Sequence, residues 1–281
     1  MNTIRIGIIC NKNNKQCDDT VRQLALAIER EGAIPLCYGD DTYVYDNADV
    51  LVSIGGDGTF LKVASQALKR DIPVIGINLG TLGFLTEIDK HDIDETARRL
   101  VRNDYIVEER KVMKIVVTRD DVEVFSCHVI NDCVIAREIL SKVLYLEVYA
   151  NSHYVDTYPG DGVVLSTQTG STAYSLSAGG PIVEPGNEVM VFTPLNAHMV
   201  EGRSIILGKS SVIEVKLHRE HESAYAICDG HLSYRLEKDD VVKCCLVDSH
   251  IKIIRMDPPD FYSVLRRKNA ERQTKNGNAQ T

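Results

Sequence analysis

Over the first hundred residues, apolar runs of strand length alternate with runs of helical period. Thr3 to Ile9 is rich in isoleucine. Val21, Leu24, Ala25 and Ile28 then recur at helical spacing behind the capping candidates Asp18, Asp19 and Thr20, until Gly32 ends the pattern. Ala33–Cys37, Val50–Ile54 and Pro73–Ile77 read as further strands, with helices over Thr59–Lys69 and Ile93–Val101. Such alternation predicts a parallel sheet covered on both faces. Past about Tyr105 the period changes. Residues 111–135, 142–166 and 205–255 are rich in Val, Ile, Tyr and Thr, with period-two stretches at Leu144, Leu146, Val148 and at Ile213, Val215, Leu217. This part predicts a mostly β domain. From Lys268 to Thr281 the chain turns polar, and a frayed end is expected.

The chain has 281 residues, enough for two domains, and its hydrophobic (44 %) and charged (26 %) fractions are those of a globular protein. The expected division is 1–105, with about 257–281 added, against 106–256. A net charge of −8 argues against nucleic-acid and anionic-membrane partners, although a local site can still bind an anion. The N-terminal MNTIRIGIICNKNN has neither a signal-peptide core nor a membrane-spanning length of apolar residues. Eight cysteines without CxxC spacing read as reduced, mostly buried thiols, and the expected location is the cytoplasm.

Three segments carry candidate chemistry. LVSIGGDGTFLK (51–62) is a strand, a glycine turn and a helix start, the setting of a phosphate loop at the carboxyl edge of a parallel sheet. It matches neither the P-loop nor the GxGxxG spacing, and Asp57 would also serve as an ordinary helix cap. In DGVVLSTQTGSTAYSLSAGGP (161–181) a strand ends in hydroxyls and glycine. Those groups can hydrogen-bond a polar ligand, with Tyr174 as a flat wall for a ring. Asn131-Asp132 interrupts the apolar run around it, and both residues need partners, supplied internally or by a ligand. His198 and His231 could edge a pocket, but no metal-binding spacing accompanies them.

Taken in order, GGDGT, the Asn-acid pair, TGSTAYSLSAGGP and the downstream TP…H…R stretch resemble the NAD kinase family over roughly residues 3–265. GGDGT alone is shared with lipid kinases, whereas GSTAYSLSAGGP is highly specific. The resemblance implies a Rossmann-like α/β N-terminal domain, a mostly β C-terminal domain, and a chain end that returns to the first. It implies transfer of the γ-phosphoryl group of ATP, with polyphosphate as a possible donor, to the adenosine 2′-hydroxyl of NAD. A divalent cation, Mg²⁺, would ride on the phosphates with no metal site on the protein itself. Homodimers or homotetramers are the implied assembly. Residue by residue, Asp57 matches the base or orienting group for the hydroxyl, and Gly55, Gly56, Gly58 and Thr59 the phosphate turn. Phe84 matches an aromatic near the adenosine, and Asn131 and Asp132 the pair holding adenine and ribose. Asp161, Thr169, Thr172, Ala173, Tyr174 and Ser177 match the dinucleotide pocket.

The chain departs from the family at Asp132, where glutamate is usual, and at Gln168, where proline is usual. Ala197-His198 and Arg203-Ser204 stand where the family has Pro-His and Arg-Pro. Two alternatives follow: a non-catalytic NAD(P) sensor on the same scaffold, and a lipid or other hydroxyl kinase sharing the GGDGT turn.

Overall fold

The computed structural model describes residues 3–11, 16–37, 41–80, 83–138, 143–197, 202–218 and 224–278, with side chains to residue 271. Strands β1 (Arg5–Cys10), β2 (Ile34–Leu36), β3 (Val50–Ile54) and β4 (Val74–Asn78) form a parallel array in the order β2-β1-β3-β4. β3 and β4 are buried at every position, as parallel strands covered on both faces must be. Helices α1 (Cys17–Arg30), α2 (Asp41–Asn47), α3 (Asp57–Leu68) and α4 (Ile93–Val101) alternate with the strands, and the short β5 (Ile88–Asp89) pairs with β4. α1 buries Leu24, Ala25, Ala27 and Ile28, and α4 buries Ile93, Ala97 and Leu100, one apolar stripe each.

The chain divides into two compact units: Met1–Phe60 with Pro73–Glu108 and Ile253–Thr281, and Leu61–Ile72 with Glu109–Lys252. The second unit is β-rich. One of its sheets takes in β6 (Ile106–Arg119), β7 (Val122–Val129), β9 (Leu144–Ala150), β10 (His153–Gly160), β14 (Val212–Leu217) and β17 (Val241–Arg255), in the order β10-β9-β14-β17-β6-β7. The other runs β13-β12-β11-β8-β15-β16, all antiparallel. Its strands are β8 (Asp132–Arg137), β11 (Gly162–Thr167), β12 (Val189–Leu195), β13 (Ile205–Gly208), β15 (Ala224–Cys228) and β16 (Leu232–Leu236). Met113, Ile115, Leu146, Val148, Val163 and Phe192 belong to the core that the two sheets enclose. The period-two stretches in β9 and β14 bury alternate residues, as their sequence requires.

Two elements differ from the sequence expectation. α2 has no apolar period, and only Val44 is buried in it. The chain end is not frayed from Lys268: helix α6 (Phe261–Asn278) runs through it. Residues of high helix propensity (Leu265, Arg266, Arg267, Lys268, Ala270 and Glu271) follow Phe261, whose ring lies 6.5 Å from that of Phe84. Four of the cysteines, Cys17, Cys133, Cys228 and Cys244, are buried thiols. Among the described residues, no helix is long and apolar enough to cross a membrane.

Candidate active site

In the first unit the site is built at the carboxyl ends of β3 and β4. β3 ends at Ile54, and Gly55 turns the chain at φ +151°, with its N–H donating to the Ile77 carbonyl. A side chain there would meet the Thr59 hydroxyl at 2.6 Å, so this turn requires glycine. Thr59 and Phe60 donate to the Gly56 carbonyl and start α3. Gly56 and Gly58 are exposed, with open space where a Cβ would stand, so a ligand can approach the backbone closely.

Asp57 is held by a second turn. Its Oδ2 accepts the Phe84 N–H at 3.0 Å, and Oδ1 accepts the N–H groups of Leu85 (3.3 Å) and Thr86 (3.1 Å) and the Thr86 hydroxyl (2.9 Å). Thr86 Oγ1 in turn accepts from Asn78 Nδ2 at 2.8 Å, and Asn78 Oδ1 accepts the Gly80 N–H at 2.7 Å. A relay of buried polar groups thus runs from the end of β4 to the carboxylate. Gly83 makes the approach possible, since a Cβ there would stand 1.9 Å from Asp57 Oδ1. Asp57 was legible in the sequence. Its partner Thr86, and Asn78 behind Thr86, were not, because nothing local marks a contact across 29 residues.

In the second unit, Asn131-Asp132 and the glycine-rich block meet directly. Thr167 donates its N–H to the Asn131 carbonyl (2.9 Å) and its hydroxyl to the Ile130 carbonyl (2.6 Å). A Cβ on Gly170 would fall 2.0 Å from the Asn131 oxygen. Asp132 opposes Ser166 across the sheet, and the Ser166 hydroxyl and Gln168 Oε1 are buried without a partner among the described residues. Asp132 is 5 % exposed, and its carboxylate has no hydrogen-bond donor among the described residues. Burial, with the nearby Asp229 charge, pushes its pKa up to about 7.

Asp229 is the residue that sequence reading passed over. It is 9 % exposed, and its carboxylate accepts the N–H groups of Ile130 (2.8 Å), Asn131 (2.7 Å) and Asp132 (3.2 Å). These bonds answer the question raised by a polar pair inside an apolar run. The signal that could have found it is Asp229-Gly230 just after a strand, both at positive φ.

The hydroxyls of the block serve mainly to fold it. Ser171 bonds the Gln168 and Val183 carbonyls and the Val183 N–H, Thr172 bonds the Thr169 carbonyl, and Ser175 pairs with Thr193. Thr169 Oγ1 accepts from the buried Arg110 at 3.5 Å. Ala173 precedes the short helix α5 (Tyr174–Ser177), where Ser177 is exposed and Tyr174 is 49 % exposed. Asp161 stands apart from this cluster. It pairs with Arg137 Nε at 2.6 Å and accepts from Asn196 Nδ2 at 2.7 Å, at the opposite end of β11 from Thr167. That places it five to six residue rises, each about 3.3 Å, from the Asn131–Gly170 contact. His231 accompanies the Asp229 turn, with Nδ1 3.0 Å from the Asp229 carbonyl, and His198 lies outside the described residues.

Residues 41–105 match the family model described as the ATP-NAD kinase N-terminal domain, and residues 130–256 match the ATP-NAD kinase C-terminal domain. The NAD kinase of Acetivibrio thermocellus is 38 % identical over 280 residues, covering 94 % of this chain and 96 % of that protein. That of Ruminiclostridium cellulolyticum is 35 % identical over 283 residues, covering 96 % and 99 %. Among solved structures, yeast NADH kinase complexed with NADH superposes with a TM-score of 0.82 at 23 % identity, covering 95 % of this chain and 86 % of that one. An NAD kinase from Archaeoglobus fulgidus in complex with ATP gives 0.75 at 24 %, covering 90 % and 94 %. The last two establish a shared fold. With both domain models and near full-length relatives in agreement, the chain belongs to the NAD kinase family.

Proposed function

We propose that this chain is an NAD kinase that moves the γ-phosphoryl group of ATP onto the 2′-hydroxyl of the adenosine ribose of NAD, giving NADP. The sensor and lipid-kinase alternatives are not favoured, since the full-length relatives are NAD kinases. The 2′-oxygen attacks phosphorus, the bond to the β-phosphate oxygen breaks, and ADP leaves in line.

The geometric observation that carries the mechanism is the clamped Asp57. Four hydrogen bonds from the backbone and hydroxyl of one turn fix the direction of this carboxylate. Oδ2, with a single donor, keeps capacity for the ribose hydroxyl. Asp57 therefore acts mainly by aiming that hydroxyl, and the proton leaves through it or to solvent as the new bond forms. Gly55, Gly56, Gly58 and Thr59 offer a backbone turn to the phosphates.

Asn131, Asp132, Thr169, Thr172, Ala173, Tyr174 and Ser177 are assigned to the nucleotide. The Tyr174 ring supplies a stacking face, and Asp132 an acceptor for ribose hydroxyls. Asp161 joins them only as a second contact at the far end of β11. Phe84, beside Phe261, is assigned to the adenosine. A divalent cation is assigned to the phosphates of ATP and not to a site on the protein. Mg²⁺ in that place would neutralise charge on the triphosphate. Polyphosphate as an alternative donor, a cytoplasmic location and a homodimer or homotetramer complete the proposal.

The test is purified protein with NAD, ATP and Mg²⁺, scored for NADP and repeated with polyphosphate. NADP formation is expected. Binding of NAD without turnover would overturn the kinase reading in favour of a sensor, and phosphorylation of a lipid alcohol alone would overturn it in favour of a lipid kinase.

A further inference from the structure

Three consecutive amides, those of Ile130, Asn131 and Asp132, converge on one carboxylate supplied from a position 97 to 99 residues away. Asp229 returns the contact, donating its own N–H to the Asp132 carbonyl at 2.9 Å. It does so from the left-handed region, at φ +47°, ahead of Gly230 at +66°. A non-glycine residue held there needs compensation from its surroundings, and the three amide bonds provide it. The result is a rigid backbone under the two side chains assigned to the nucleotide, and a second buried acid directly across from Asp132.

We propose that Asp229 is a positioning residue for nucleotide binding: it fixes the backbone that presents Asn131 and Asp132, and its charge makes that binding pH-sensitive. The inference rests on the kinase reading of Asn131 and Asp132.

Burial raises the pKa of Asp229, while its three amide donors favour its charged form. Asp132 is buried too and has no donor among the described residues, so the proton of the pair resides there, and Asp132 titrates at about 7. The other titratable groups about Asp229 are His231, which favours its charged form, and the thiols of Cys127 and Cys228, both raised and neutral near pH 7. A ribose diol donates best to an ionised Asp132. Nucleotide binding therefore strengthens as pH rises through about 7 and weakens below it.

The experiment is a ¹³C-carboxyl NMR titration of the ligand-free protein and of Asp229→Asn, joined to KM for NAD and kcat between pH 5.5 and 8.5 (roughly 1.5 units either side of an Asp132 midpoint of about 7). In the wild type, Asp132 should titrate near 7 and KM should follow the same midpoint. In Asp229→Asn the amide nitrogen faces one N–H donor and the negative neighbour is gone. The Asp132 midpoint should then fall by about one unit or more, and KM at pH 8 should rise about tenfold with kcat changed less than about threefold, as expected when ground-state binding is lost. Asp132→Asn should abolish the pH dependence of KM.

An Asp132 midpoint in the ordinary carboxylate range in the wild type overturns the inference without any variant, should Asp229→Asn fail to fold. A raised KM in Asp229→Asn with an unmoved midpoint also overturns it, leaving Asp229 a purely structural residue. A midpoint that shifts as described, in a protein that makes no NADP at any pH, overturns the kinase reading instead.

Discussion

Asp57 receives four hydrogen bonds from three consecutive residues, whereas Asp132, in the other unit, receives none among the described residues. The first carboxylate is held by the protein before any ligand arrives, and its direction is fixed. The second is buried beside another acid and retains its proton to about pH 7, an arrangement that costs folding energy and leaves acceptor capacity unused. Preorganisation suits a group that must aim a reacting atom. An unsatisfied acceptor suits a group whose partner is the ligand.

Asp57→Asn breaks the first side of this contrast and should have the largest effect. The amide cannot accept all four donors, and kcat should fall about 10²–10⁴-fold while circular dichroism and NAD binding persist. Near-wild-type kcat would remove Asp57 from the reaction. Gly83→Ala tests the clamp while leaving the carboxylate itself in the sequence. Its Cβ would stand 1.9 Å from Oδ1, so Asp57 or the turn must move, and kcat should drop about tenfold to hundredfold with KM for NAD changed little.

The smallest effect, and the one of opposite sign, is on stability. The folded chain keeps the Asp132 proton to about pH 7, while the unfolded chain releases it near 4. Stability therefore falls as pH rises through that window and stays at the lower level above it. Asp132→Asn removes this cost. Its melting temperature at pH 8 should exceed the wild type's by about 2–4 °C for each kcal/mol relieved, while the two proteins melt alike at pH 4. KM for NAD at pH 8 should rise. Equal melting at pH 8 would mean that Asp132 is not a strained acid.

What the sequence could and could not reveal divides along the same line. β1, β3, β4, α1, α3 and α4 are written in local periodicity, and Asp57, Asn131 and Asp132 stand out as polar residues where the pattern has no use for them. The clamp on Asp57 and the amide cluster on Asp229 are contacts across 27 to 99 residues, made largely by backbone N–H groups that every residue has. No residue type announces them. Asp161 illustrates the converse. The family resemblance groups it with the glycine-rich block, while the extended strand β11 stands between the two, a separation that a motif match does not display. The hydroxyls of that block read as ligand donors because side-chain chemistry is visible in a sequence, whereas the internal bonds that Ser171, Thr172 and Ser175 also make are not.

Gly170 has a consequence for how such a protein can change over generations. Its missing Cβ leaves room for the Asn131 carbonyl, so two segments 39 residues apart share one space. A substitution at 170, or an insertion that shifts either loop, has to be answered in the other segment at once. The two are inherited as one piece, and swapping the glycine-rich block between relatives should succeed only when residues 130–132 travel with it.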